Sequence, residues 1–145
     1  MPSKNTRSRM KFKVEEGGFP PVREHEEDAG VDLRTPIRMV IYPHSQTHID
    51  LKVRVEIPRG YVGLLTSKSG LMKHRGIKTT GTIDSGYSGT IGCTIFNHGD
   101  EIIFIERGEK VTQLVVMPCL TDQVELVDEI REGERGENGY GSTGK

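Results

Sequence analysis

β-Branched residues dominate this chain, and glycine punctuates it. Valine, isoleucine and threonine supply 12 residues each, against 8 leucines and a single alanine, Ala29; 18 glycines are spread along the 145 positions. Helices favour Ala and Leu, and each interior glycine costs a helix roughly 1 kcal/mol. Val, Ile and Thr fit the half-buried pleat of a strand. The composition therefore excludes a helical bundle and specifies a β fold. The length suits one domain. Hydrophobic residues make up only 33% of the chain, with no tryptophan. A lone copy of this size buries a modest core, so burial against further copies is expected.

Short apolar runs recur every 8–12 residues or so between turn signals, the rhythm of a sandwich or barrel. Met10–Val14, Ile37–Tyr42, Thr47–Ile57, Tyr61–Leu65, Thr90–Phe96, Glu101–Ile105, Val111–Met117 and Gln123–Val127 are the expected strands. Ser67–Lys73 fits one helical turn capped by a serine. Net charge is −1, which gives no overall electrostatic case for a nucleic-acid or membrane partner. The charge is uneven, however. Residues 1–13 hold five basic side chains and no acid, whereas residues 122–137 hold seven acids against Arg131 and Arg135. Residues 1–9 read as a solvated basic tail, residues 10–130 as the folded domain, and the glycine-rich residues 131–145 as a flexible arm. No run of 18 apolar residues and no signal-peptide pattern is present, so a cytoplasmic location is expected, or the host cytoplasm for a viral protein. Cys93 and Cys119 form no Cys-x-x-Cys pair and read as buried apolar side chains. The five histidines do not gather into a metal set.

Five segments place glycine beside acids, hydroxyls or an aromatic. In Ala29-Gly30-Val31-Asp32-Leu33, strand alternation turns Asp32 away from its apolar neighbours, towards the surface. Thr66-Ser67-Lys68-Ser69-Gly70-Leu71 puts hydroxyls, a cation and glycine at a turn entering a helix, a setting that suits an anion and equally an ordinary cap. Gly81-Thr82-Ile83-Asp84-Ser85-Gly86-Tyr87-Ser88-Gly89 reads as a hairpin with close backbone approach, holding Asp84 rigidly enough to act as a general base or simply as a turn acceptor. Arg107-Gly108-Glu109-Lys110-Val111-Thr112-Gln113-Leu114-Val115-Val116 is a turn and a strand in which polar Gln113 stands among apolar neighbours. In Arg135-Gly136-Glu137-Asn138-Gly139-Tyr140-Gly141-Ser142-Thr143-Gly144, a cation, an aromatic between glycines and two hydroxyls look like a lid. Arginine's donor fork suits phosphate.

Taken in this order, the five segments resemble the motifs of the trimeric dUTP pyrophosphatase (dUTPase) family, over residues 29–144. The resemblance implies an all-β, distorted jelly-roll barrel or sandwich with one short helical turn and a flexible C-terminal arm. It implies a homotrimer with shared sites: one chain gives motifs one, two and four, a second gives motif three, and the third sends its arm across. The implied reaction is hydrolysis of dUTP to dUMP and pyrophosphate, with Mg²⁺. Asp84 would orient and deprotonate the attacking water. Tyr87 would lie against the deoxyribose and leave no room for a 2′-hydroxyl. The backbone of Thr79, Thr80, Gly81, Thr82, Ile83 and Asp84 would read the uracil edge. Lys68, Ser69, Gly70 and Gln113 would hold the phosphates, with no direct protein ligand to the metal and Asp32 near it through water. Arg135, Gly141, Ser142 and Thr143 would close on the γ-phosphate, with Tyr140 stacked over uracil.

Departures from that pattern are specific. Lys68 stands where arginine is usual, keeping charge but losing the fork. Gly86 and Ser88 stand where an acid and an arginine often flank the tyrosine. Residues 77–84 run about one residue short of many relatives, and Tyr140 replaces phenylalanine. The same fold also serves dCTP deaminases, but the position of their catalytic glutamate is Thr94 here, and they lack the C-terminal arm. A non-catalytic, nucleotide-dependent interaction protein on this fold is the other alternative.

Overall fold

A computed structural model describes residues 9–139 of the chain. Ten strands and one helix follow in order: β1 (Lys11–Val14), β2 (Gly30–Arg34), β3 (Met39–Ile41), β4 (Gln46–Asp50), β5 (Val53–Glu56), β6 (Tyr61–Thr66), α1 (Ser69–Arg75), β7 (Ile77–Asp84), β8 (Gly92–Asn97), β9 (Ile103–Ile105) and β10 (Lys110–Pro118). Six strands form one antiparallel sheet in the order β2-β10-β6-β7-β8-β4, and two short ladders, β1-β5 and β3-β9, complete the sandwich. This is the all-β architecture the composition requires.

Period-two alternation explains how the core is filled. Val53 and Val55 on β5 point inward while Arg54 and Glu56 point out. Ile103 and Ile105 flank an outward Phe104 on β9. Leu33, Ile49, Leu51, Leu65, Ile77, Ile91, Ile95, Val111 and Leu114 join them in one cluster that draws on all three ladders. Asn97 is buried there too, with its amide spent on the Ile41 and Glu101 carbonyls at 3.0 and 2.8 Å, so it carries no desolvation debt.

Four expectations need correction. The run Thr47–Ile57 is two strands, because Lys52 adopts φ 57° and turns the chain between β4 and β5. Gly81–Gly89 is not a hairpin: residues 81–84 are the second half of β7, and the turn comes after them. Gln123–Val127 forms no strand; Val124 and Leu126 are more than 90% exposed, with no partner strand in their own chain. The helix is present, but its N-cap is Lys68 with no side-chain cap bond. Ser67 instead accepts from the Thr79 amide at 2.9 Å, joining α1's approach to β7. Cys93 is buried as expected, whereas Cys119 is only partly so.

Candidate active site

Strand β10 is the spine of the first cluster. Its register sets Gln113 opposite Asp32 of β2 on one side and Thr66 of β6 on the other. Chain leaving β6 then brings Lys68 back to Asp32, whose Oδ1 accepts from the Lys68 ammonium. Lys110 Nζ lies 3.2 Å from Asp32 Oδ2 and also donates to Glu24 Oε1 at 2.8 Å. Gln113 Nε2 donates to the Ser67 carbonyl at 3.2 Å. Gly30 allows this packing, since a Cβ there would overlap Gln113 Oε1. The cleft between them is about 430 Å³.

Asp32 is only 6% exposed, not the surface acid that alternation alone suggests. Residue Val22 bridges to it through both backbone groups, and two lysine stems cover its carboxylate. Burial pushes the Asp32 carboxyl up, but bonds from Lys68 and Lys110 outweigh it and hold the group below the usual aspartate range. Lys110 is correspondingly pushed up, chiefly by its bond to Glu24 and then by Asp32. The cluster is thus a charged carboxylate between two charged ammoniums, with an amide alongside, which suits an anion that can share the lysines. Ser69 and Gly70 open α1 beside it and are both exposed; a side chain at Gly70 would meet nothing within 4 Å. Lys110 and Glu24 belong to this cluster although their residue types alone did not single them out. Lys110 sat within the fourth segment, two residues from Gln113 on the strand.

A second cluster sits at the far end of β7. Thr80, Thr82 and Asp84 are exposed on one side of the strand, while Thr79 and Ile83 turn inward. Thr79 is already engaged, its hydroxyl with Thr112 at 2.7 Å and its amide with Ser67. The β7–β8 ladder ends where Thr80 faces Thr94, so the two strands part beyond that pair. On the other side Gly81–Asp84 stay paired with β6. The Asp84 carboxylate has no side-chain partner among the described residues. The chain then turns, with Tyr87 N donating to Asp84 O at 3.0 Å. Tyr87 Oη donates to Thr90 O at 2.8 Å, and Gly89 leaves room for the ring; a Cβ there would sit 2.5 Å from that oxygen.

These clusters do not meet within one chain. Asp84 faces Val62 on β6, whereas Gln113 faces Thr66 on the same strand. Four residues of strand separate them, roughly 13 Å along the sheet. The cleft beside Tyr87 and the cleft beside Asp32 share no lining residue. Arg135 bonds only locally, to the Gly139 carbonyl at 2.9 Å, and reaches neither cluster. Tyr140, Gly141, Ser142 and Thr143 lie outside the described residues.

Known proteins agree with this arrangement in sequence and in shape. The dUTPase family model matches residues 19–144. The chain is 39% identical over 135 residues to the deoxyuridine 5′-triphosphate nucleotidohydrolase of Clostridium novyi, covering 91% of this chain and 95% of that one. It is 39% identical over 146 residues to the enzyme of that name from Escherichia phage T5, covering 93% and 98%. Among solved structures, the Staphylococcus bacteriophage 80alpha dUTPase with dUPNHPP superposes with a TM-score of 0.86 at 33% identity, covering 94% of this chain and 99% of that one. The dUTPase of phage phi11 of S. aureus, described as coordinating a structural Mg(II) ion, gives 0.76 at 31% identity, with 84% and 98% covered.

Proposed function

The chain belongs to the dUTPase family, and from that premise we propose that it hydrolyses dUTP to dUMP and pyrophosphate. One observation carries the chemistry: a sheet end that gathers Lys68, Lys110 and Gln113 around a charged Asp32, with an unengaged Asp84 and a set Tyr87 at the other end of the same sheet. The first cluster supplies charge neutralisation for a triphosphate. The second supplies a base and a sugar wall. In the reaction, Asp84 takes a proton from water as its oxygen attacks the α-phosphorus. The α-phosphorus–oxygen bond to the β-phosphate breaks, and pyrophosphate leaves. Positioning and electrostatics provide most of the rate in such phosphoryl transfers.

Uracil fits the opening where β7 and β8 part. There the backbone of Gly81, Thr82, Ile83 and Asp84 faces a free edge, and Tyr87 stands beside it against the deoxyribose. Thr80 borders the opening, while Thr79 supports it from within. Ser69 and Gly70 would contact the phosphates from α1, and the arm would bring Arg135, Tyr140, Gly141, Ser142 and Thr143 over the bound nucleotide. We read residues 1–9 as tail, 10–130 as domain and 131–145 as that arm.

Mg²⁺ suits the donor set. Both Asp32 oxygens are taken by lysines, and no group of three potential ligands gathers among the described residues. An ion held chiefly by the triphosphate and its own waters, with Asp32 reached through water, needs no cage. When bound, it would neutralise phosphate charge.

A 13 Å gap between the clusters supports a site built from two copies in a closed homotrimer. Leu120, Val124, Leu126 and Ile130 are each more than 80% exposed. Neighbouring copies would cover them as the C-terminal segment crosses over. No helix among the described residues is long and apolar enough to cross a membrane, and a cytoplasmic location, or that of a host cell, fits the nucleotide substrate.

A substrate panel tests the reading. With Mg²⁺, pyrophosphate release should be fast from dUTP and far slower from dTTP, dCTP and UTP, with no ammonia from dCTP. Ammonia release from dCTP would favour a deaminase, and silence on dUTP would refute the assignment.

A further inference from the structure

The loop between β7 and β8 carries Tyr87 but has little to hold itself in place. Ser85, Gly86, Ser88 and Gly89 are small, and a side chain at Gly86 would meet nothing within 4 Å. Two of its bonds are internal, Tyr87 N to Asp84 O and Tyr87 Oη to Thr90 O. Thr90 ties the loop's far end to Asp50 at 3.0 Å. At the tip, the tie to the scaffold is Arg54 Nη1, which donates to the Ser88 carbonyl at 2.7 Å.

Arg54 is itself fixed. It projects outward from β5, opposite Lys13 of β1. Its Nε donates to Glu15 Oε1 at 2.6 Å, and Lys13 Nζ stands 3.7 Å from the same oxygen. One planar guanidinium therefore joins an anchored carboxylate to the backbone of the loop that holds the tyrosine. Lysine has no such fork. An exposed pair of this kind adds little to global stability, so its effect should appear in loop geometry.

We propose that Arg54, braced by Glu15, is a positioning residue that sets Tyr87 against the deoxyribose and so enforces rejection of the ribonucleotide. The proposal rests on the dUTP-hydrolysing reading above. It places specificity on two side chains, from β5 and from the turn after β1, that lie outside all five motif segments.

The test compares full-length wild type with Arg54→Ala, Arg54→Lys and Glu15→Gln for kcat and KM on dUTP and UTP, with thermal midpoints alongside. Arg54→Ala should keep kcat on dUTP within about threefold, raise KM, and lower the dUTP-over-UTP ratio of kcat/KM roughly tenfold. Arg54→Lys reaches one of the two partners and should also lose discrimination. Glu15→Gln retains an acceptor for Nε and should lose less. An unchanged ratio in Arg54→Ala, or a fall in kcat with KM and ratio unmoved, overturns the proposal. Should Arg54→Ala fail to fold, the ratio in Arg54→Lys decides in the same way. Wild type that releases no pyrophosphate from dUTP would instead refute the functional reading itself.

Discussion

Asp32 and Asp84 are chemically the same acid in opposite environments. Asp32 is buried and doubly bonded, and its carboxyl is held below the ordinary range by Lys68 and Lys110 despite burial. A lowered folded-state value means stability that is fully present above the unfolded value of about 3.9 and is lost as pH falls through the folded one. Denaturant midpoints below about pH 4 should therefore fall more steeply for wild type than for Asp32→Asn; equal slopes would contradict the pairing. Asp84 is exposed and unengaged, as a base awaiting water should be. Asp84→Asn should bind dUTP in calorimetry with little change and lose about 10²–10⁴-fold in turnover. Burial pushes the Cys93 thiol up to about 12, so a thiol reagent at neutral pH should modify one cysteine, Cys119, in the folded protein and two after unfolding. Residue types made Asp84, Lys68 and Gln113 legible as candidates in the sequence. They could not show that Asp32 is buried, because the Val22 bridge that covers it is a contact between distant turns of chain.

At the scale of elements, β10 decides the geometry of the anion cluster. Leu114 on its inner side is wholly buried while Gln113 on the other side packs over Gly30. Leu114→Ala should destabilise the fold by about 2–5 kcal/mol in denaturant unfolding. Gly30→Ala should instead push Gln113 off the Ser67 carbonyl and weaken triphosphate binding, read as a raised KM with less change in stability. Most strands were legible from alternation. The failures have physical causes. Gly81 looked like turn chemistry, but it is a strand glycine needed because a Cβ would sit 2.7 Å from Leu65 Cδ1 and 3.2 Å from Gly92 O. Lys52 breaks a uniform apolar alternation with a positive φ. The readable signal was Asp50, whose carboxylate accepts from the Lys52 amide at 2.8 Å in an Asx-turn. Ser67 looked like a helix cap and is a strand-to-loop staple, because Thr79 competes for its hydroxyl.

At the scale of the whole molecule, a single chain presents two incomplete halves of a site and an apolar C-terminal stretch with nothing of its own to cover it. The low hydrophobic content already pointed to help from other copies. The alternation in Gln123–Val127 is a true strand signal whose partner lies in another chain, which is why it is read correctly and not formed alone. A division of labour between copies has a sharp consequence for mixtures of inactive subunits. Asp84→Asn spoils only the β7 half, and a Lys68→Ala, Gln113→Ala double variant spoils only the β10 half. Unfolding the two together, refolding them at equal amounts and measuring pyrophosphate release from dUTP should restore about a quarter of wild-type activity, since a quarter of randomly assembled sites pair two intact halves. Activity no greater than the sum of the two separate variants would show that each chain builds its own site, contrary to the shared-site reading.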